Sequence, residues 1–405
     1  MARSASIASI ILFACLAACA GEPTIADDGL PGARNTALRA AADHYDISVD
    51  WLAAIGFQQG RFEAAEAEDT TAAATSDPGD TLGEDTPLDD TGDPVATDDA
   101  PMGDHADGPA GWGVMYLSDA QVARAAELTG RAPDAIRTEH GANIGAAAAL
   151  LAEHGTSTET VRAATIELLG LVDDAESAEL ALADLDGVIT EGFDLTTSDG
   201  ERLVLAGTAP TPETAEAVAA GHYPAIQFIA SPNYSSRQGY GIRYIVVHDI
   251  EGTMASAIAV FKRTSRQASA HYIVRARDGH IVQMVREANN AWHVGHGWFN
   301  RHSIGIEHEG FAFKKNGGGY YTDRQYQASA RLACAVAHRY RIPVNRAHIF
   351  GHFNVPSNLA SHTLCSDARG IAGKCGGVSH HADPGKYWNW TKYMSLVRGC
   401  VNAAG

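Results

Sequence analysis

Three side chains stand where apolar runs end. His248 closes RYIVVH, Glu307 closes SIGIE and His352 closes AHIFGH. One buried histidine is more often a satisfied core residue than a ligand. Two histidines and an acid at the ends of three adjacent strands are harder to ascribe to packing. Zinc in hydrolases takes three protein ligands and keeps one position for water, a need that two histidines and a carboxylate meet. A nearby carboxylate that is not a ligand can then act as general base.

The elements that must position these residues can be read around them. RYIVVHD at 243–249 is a continuous β-branched run, the pattern of a strand buried on both faces. Thr253 is placed to cap a helix running to about Arg263. HYIVRARDGHIVQMV at 271–285 predicts two strands around an Asp278-Gly279 turn. SIGIEHEG at 303–310 and AHIFGH at 347–352 predict two more strands. Between them, Thr322-Asp323 opens a long helix, TDRQYQASARLACAVAHRYRI, which Pro343 helps to stop. Strands and helices in this order predict an α/β unit, with a mixed central β-sheet flanked by helices.

The preceding half reads differently. MARSASIASIILFACLAACAGE has one early Arg3 and an apolar run too short to span a bilayer, which fits an export signal over 1–19. Its end, Leu16-Ala17-Ala18-Cys19, resembles the lipobox of bacterial lipoproteins, which implies lipidation of Cys19. The alternative is an ordinary signal cleaved at a small residue. Residues 20–35 read as a tether, 36–205 as a mainly helical unit and 206–222 as a linker to the α/β unit at 223–401. Asn35–Ala64 carries apolar positions at helical spacing, and TVRAATIELLGLV and SAELALADL predict further helices. TTSDGERLVLAG at 196–207 predicts a hairpin turned at Asp199-Gly200. Phe62–Ala123 holds no Lys or Arg, and 66–108 is too poor in apolar residues to offset its ordering entropy, so a disordered acidic insertion is expected there. No EF-hand spacing suggests calcium.

Charge and cysteine usage follow the same division. Tyr234–Cys400 carries 21 Lys/Arg against 9 Asp/Glu, a net +12, which leaves −31 for the rest of a chain totalling −19. A basic unit suits a polyanionic partner, nucleic acid or an anionic cell wall, unless the charges are simply solvated surface. Beyond Cys15 and Cys19, four cysteines remain: Cys334, Cys365, Cys375 and Cys400. An exported chain sits where disulfides persist. Three pairings exist. Joining Cys365 to Cys375 closes a local loop and leaves Cys334 and Cys400 to tie a helix to the C-terminus. No CxxC pair supports zinc on cysteine.

From about 222 to 400 the chain resembles the type 2 N-acetylmuramoyl-L-alanine amidases, relatives of the peptidoglycan recognition proteins. YIVVHDIEGT, SAHYIVRARDGHIVQMV, NAWHVGH, SIGIEHEG, HIFGHFNVP and HADPGKYWNW carry the likeness, in the family's order. It implies a Zn2+ ion on His248, His352 and Asp383, with Glu307 as catalytic glutamate and His381 near the reacting carbonyl. Trp292 and His293 are expected to line the substrate groove, and His296, His302 and His308 to be bystanders. Ala270 stands where some relatives use tyrosine, which leaves that role to Glu307. Between His352 and Asp383 lies an inserted loop, expected to be stapled by Cys365–Cys375. Its Ser361-His362-Thr363, with Asp367, partly mimics the site. Asp383 is preferred because Pro384-Gly385 and Trp388-Asn389-Trp390 follow it in the family's pattern.

A second resemblance lies upstream. AAIGFQQGRF at 53–62, GWGVMYL and ANIGAAAALL are similar to a lysozyme-like transglycosylase domain, with Gln59 and Gly60 where that family has its catalytic Glu-Ser pair. Glutamine cannot donate the proton that glycoside cleavage requires, so glycan affinity without cleavage is implied. The alternative is a helical spacer. Together the resemblances imply zinc-dependent hydrolysis of the N-acetylmuramic acid–L-alanine amide of peptidoglycan. They imply a monomer, exported and lipid-anchored to the bacterial envelope, with no nucleic-acid partner. The rival is a non-catalytic peptidoglycan-binding lipoprotein.

Overall fold

The computed structural model describes residues 32–64, 111–208, 226–312, 321–366, 374–378 and 381–404. The export signal with Cys19, the acidic insertion at 66–108, most of the linker and Asp367 lie outside these residues.

The first half is helical, as expected, but its opening differs from the sequence reading. The run over 35–64 is two helices, α1 (Ala33–Tyr45) and α2 (Val49–Gly60). Asp46 turns left-handed at φ 54° to end α1, and Ser48 then caps α2 by accepting from the Trp51 amide. Helix also begins inside the expected tether, because Arg34 is anchored. Its buried guanidinium donates to the Phe62 carbonyl at 3.1 Å and pairs with Asp199 and Glu201 at 2.8 and 2.9 Å. There follow α3 (Asp119–Thr129), α4 (Pro133–Thr138), α5 (His140–Ala152), α6 (Thr158–Leu168) and α7 (Ala175–Glu191). Buried Ala146, Ala147 and Ala148 make α5 thin enough for α1, α3 and α6 to pack around it. The hairpin β1 (Gly192–Thr196) and β2 (Arg202–Ala206) turns at the expected place, but β1 lies before the predicted start, directly on the end of α7.

The second half is the expected mixed sheet. In chain order it comprises β3 (Gln227–Phe228), β4 (Tyr234–Ser236), β5 (Tyr244–Val247), α8 (Met254–Phe261), β6 (Tyr272–Val274) and β7 (Ile281–Gln283). Then come β8 (Asn289–Ala291), α9 (Gly297–His302), β9 (Ser303–His308), α10 (Asp323–Tyr340), β10 (Ile349–Gly351) and α11 (Trp390–Ala404). Six strands pair in the order β10-β5-β9-β6-β7-β3, and β4 pairs with β8 separately. β10, β5, β9 and β6 run parallel, while β7 returns antiparallel to β6.

Strand alternation divides this sheet into two faces. Ile245, Val247, Tyr272, Val274, Ile304, Ile306 and Ile349 pack against α10 and α11. Val246 and Phe350 point the other way, towards Val294 and Phe299, as do Ile273 and Val282 towards α8. Cys334 on α10 is bonded to Cys400 on α11. Thr253 caps α8 and Thr322 caps α10, as their sequences predict.

The two halves meet through α7. Ala178 and Ala181 pack on Ala255 and Ala259 of α8. Arg277 reaches Asp184 at 3.0 Å and Glu191 at 2.5 Å, and Lys262 reaches Asp174 at 2.7 Å. Part of the basic excess of the second half therefore faces acids of the first, within the chain.

Candidate metal and active site

Register builds the first three members of the site. Val247 lies opposite Ile306 on one side and Gly351 on the other. The next residues along these parallel strands, Glu307, His248 and His352, therefore stand in one row at the strands' C-terminal ends, with neighbouring strands about 4.8 Å apart. Parity turns Glu307 and His248 away from the face that carries Ile306 and Val247, and so away from α10 and α11. Open α/β sheets bind ligands at this end of the strands.

The fourth member comes from a loop. Asp383 precedes a cis bond to Pro384, and its carbonyl accepts the Phe353 amide at 3.2 Å. The Tyr321 hydroxyl holds the Pro384 carbonyl at 3.1 Å. Gly385 has φ 71°, and a Cβ there would lie 2.3 Å from the Ala312 carbonyl oxygen, so the turn requires glycine. This turn delivers the Asp383 carboxylate between the two histidines. His248 Nδ1 lies 2.9 Å from Oδ2, and His352 Nδ1 lies 3.0 Å from Oδ1.

All three side chains are buried, and their ligand atoms lie within 4.8 Å of one another. Two imidazole nitrogens and a carboxylate this close together form a donor set suited to zinc. The charge balance agrees. Burial alone would raise the Asp383 carboxyl, but the His352 and His248 imidazoles against it hold it well below the usual carboxylate range. Glu307 behaves oppositely. Burial, with the Asp383 charge beside it, pushes it well above the usual range. Its Oε2 is buried and has no hydrogen-bond partner among the described residues. Two carboxylates with opposed protonation tendencies thus share one site, the arrangement that separates a ligand from a proton acceptor.

The remaining candidates divide. His381 is half-buried, with its ring stacked 5.0 Å from that of His352. Trp292 is half-buried and donates to Ser235 Oγ at 3.3 Å. His293 does not line an open groove as expected. It is 0 % exposed and lies behind His248, packed against β9 at Gly305. Sequence spacing places it beside Trp292 and gives no sign of its depth. His296, His302 and His308 are buried: His308 Nδ1 bonds the His248 carbonyl at 2.8 Å and His302 Nδ1 the Trp298 carbonyl at 2.8 Å. In the mimic sequence, His362 is exposed and stacks on Trp298 rather than joining the ligand cluster. The inserted loop does carry the Cys365–Cys375 bond. Gln59 and Gly60 are buried at the end of α2.

The family described as N-acetylmuramoyl-L-alanine amidase matches residues 238–386, which span the row of strand ends and Asp383. N-acetylmuramoyl-L-alanine amidase A of Achromobacter lyticus is 34% identical over 171 residues, covering 42% of this chain and 90% of that protein. The 1,6-anhydro-N-acetylmuramyl-L-alanine amidase AmpD of Haemophilus influenzae is 29% identical over 138 residues, covering 33% of this chain and 60% of that protein. Among solved structures, an AmpD derivative is 25% identical with a TM-score of 0.30, covering 44% of this chain and 98% of that one. With a relative this similar aligned over nearly its whole length, the chain belongs to the N-acetylmuramoyl-L-alanine amidase family.

Proposed function

We propose that this amidase cleaves the bond between the lactyl group of N-acetylmuramic acid and L-alanine in peptidoglycan, with a zinc ion held by His248, His352 and Asp383. The observation that carries the proposal is the convergence of two histidine Nδ1 atoms on one buried carboxylate, with Glu307 buried beside it. When bound, zinc supplies Lewis acidity to the scissile carbonyl and to an attacking water.

The chain's own residues supply the proton handling. Glu307, held above the usual carboxylate range, takes the proton of the attacking water and passes it to the departing L-alanine amine. His381, stacked on His352 and half-buried, donates a hydrogen bond to the developing oxyanion. Trp292 borders the groove.

Lipidation of Cys19 would hold the enzyme at the envelope, and stable anchoring would need more than one acyl chain. The helical half, where Gln59 replaces a proton-donating glutamate, would bind glycan without cleaving it. Zinc content and release of free amines from purified peptidoglycan test the proposal. One zinc per chain and new amines are expected, with amines lost in Glu307→Ala. A zinc-free wild type that releases no amine refutes it. New reducing ends or anhydro-sugars would assign cleavage to the helical half instead.

A further inference from the structure

We propose that His293 is a positioning residue that sets the tautomer of His248 through a directed hydrogen-bond relay, so that its Nδ1 lone pair is presented to the metal. The inference rests on the reading of His248 as a ligand. His248 Nδ1 faces Asp383, and its other nitrogen, Nε2, lies 2.9 Å from His293 Nδ1. His293 Nε2 lies 3.1 Å from Ser303 Oγ, which donates to the Phe299 carbonyl at 2.7 Å.

The far end determines the near one. A carbonyl only accepts, so the Ser303 hydroxyl proton belongs to Phe299. With that proton so placed, Ser303 Oγ accepts from His293 Nε2–H at 3.1 Å. A neutral His293 then presents Nδ1 as the acceptor for His248, whose proton lies on Nε2. That leaves the Nδ1 lone pair of His248 2.9 Å from the Asp383 carboxylate. The relay thus prepares the site for a cation before one arrives.

Other features of the fold hold His293 in place. A Cβ on Gly305 would lie 2.6 Å from His293 Cγ and Nδ1, so the middle of β9 carries no side chain where the imidazole sits. Asn300 Oδ1 accepts the backbone amides of His293 and Val294 at 3.1 and 3.0 Å. His293 and Ser303 are both 0 % exposed, which excludes water from competing for these bonds. Strand parity brings the parts together: Ser303, Gly305 and Glu307 share the β9 face that His293 packs against.

The test is zinc affinity of the full chain, measured by competition with a fluorescent chelator, together with the absorption spectrum of the cobalt-substituted protein. His293→Phe keeps a ring of similar shape and removes the acceptor. It should weaken zinc binding about 10- to 100-fold, the usual effect of losing a partner of a metal-bound histidine, and should alter the cobalt spectrum. His293→Asn keeps an acceptor near the Nδ1 position and should recover most of the affinity. Ser303→Ala leaves the fold less disturbed and frees His293 to adopt the other tautomer. It should weaken zinc binding in the same direction, and it decides the matter should His293→Phe not fold. Unchanged affinity in folded His293→Phe or in Ser303→Ala overturns the proposal. Equal losses in His293→Phe and His293→Asn also overturn it, because they would mean packing alone. Failure of the wild type to bind zinc would instead refute the ligand assignment.

Discussion

Replacing Cys334 and Cys400 together by alanine removes a cross-link between residues 66 apart, whereas replacing Cys365 and Cys375 removes one between residues 10 apart. If disulfides stabilise mainly by restricting the unfolded chain, the long closure is worth about 4.4 kcal/mol at 25 °C and the short one about 2.7 kcal/mol. The position of the long bond supports the full value. Cys334 is buried on α10, and its partner lies on α11, which packs along the same side of the sheet. Unfolding either helix from the other therefore requires the closed loop to open in every other respect. Urea unfolding of the oxidised wild type and both double variants, followed by tryptophan fluorescence, measures the difference. The Cys334→Ala/Cys400→Ala protein should lose about 1.7 kcal/mol more than Cys365→Ala/Cys375→Ala. An equal or larger loss in the short-loop variant refutes the reasoning, as does a loss under about 1 kcal/mol in the long-loop variant.

Further outcomes follow from the site and the junction. Glu307→Gln should lower kcat by about 100- to 10,000-fold with zinc stoichiometry unchanged, since only proton transfer is removed. Glu309 is pushed up to about 7 by burial and then by the Asp184 charge. Its folded pKa exceeds its unfolded one, so its contribution is complete below about 4.5 and is lost as pH rises through about 7. Stability of the wild type relative to Glu309→Gln should therefore fall by about 1–3 kcal/mol between pH 5 and pH 8, and parallel profiles would contradict this. Arg277→Ala removes the bridges to Asp184 and Glu191 and should cost about 1.5–3 kcal/mol, with earlier proteolysis between the two halves.

Much of the site was legible because strands convert sequence into geometry simply. Period-two alternation and apolar runs place His248, Glu307 and His352 at strand ends, and parallel pairing makes them neighbours. Asp383 was reached only by resemblance, because it sits on a loop held by Pro384, Gly385 and Tyr321, whose partners are distant in sequence. The break between α1 and α2 was missed because the apolar spacing continues through it. The left-handed turn at Asp46 and the Ser48 cap end one helix and begin the next without a change in composition.

The sequence by itself determined the order of elements, the mixed sheet and the residue types able to hold a metal and move a proton. These depend on local pattern and on motifs that survive as short strings. Tertiary structure alone decided which of the clustered histidines face the ligand point and which lie behind it. It took His293 from the expected groove wall to the base of His248. Depth in a protein is set by what packs above a residue, here β9 with its bare Gly305, and no spacing within NAWHVGH records that.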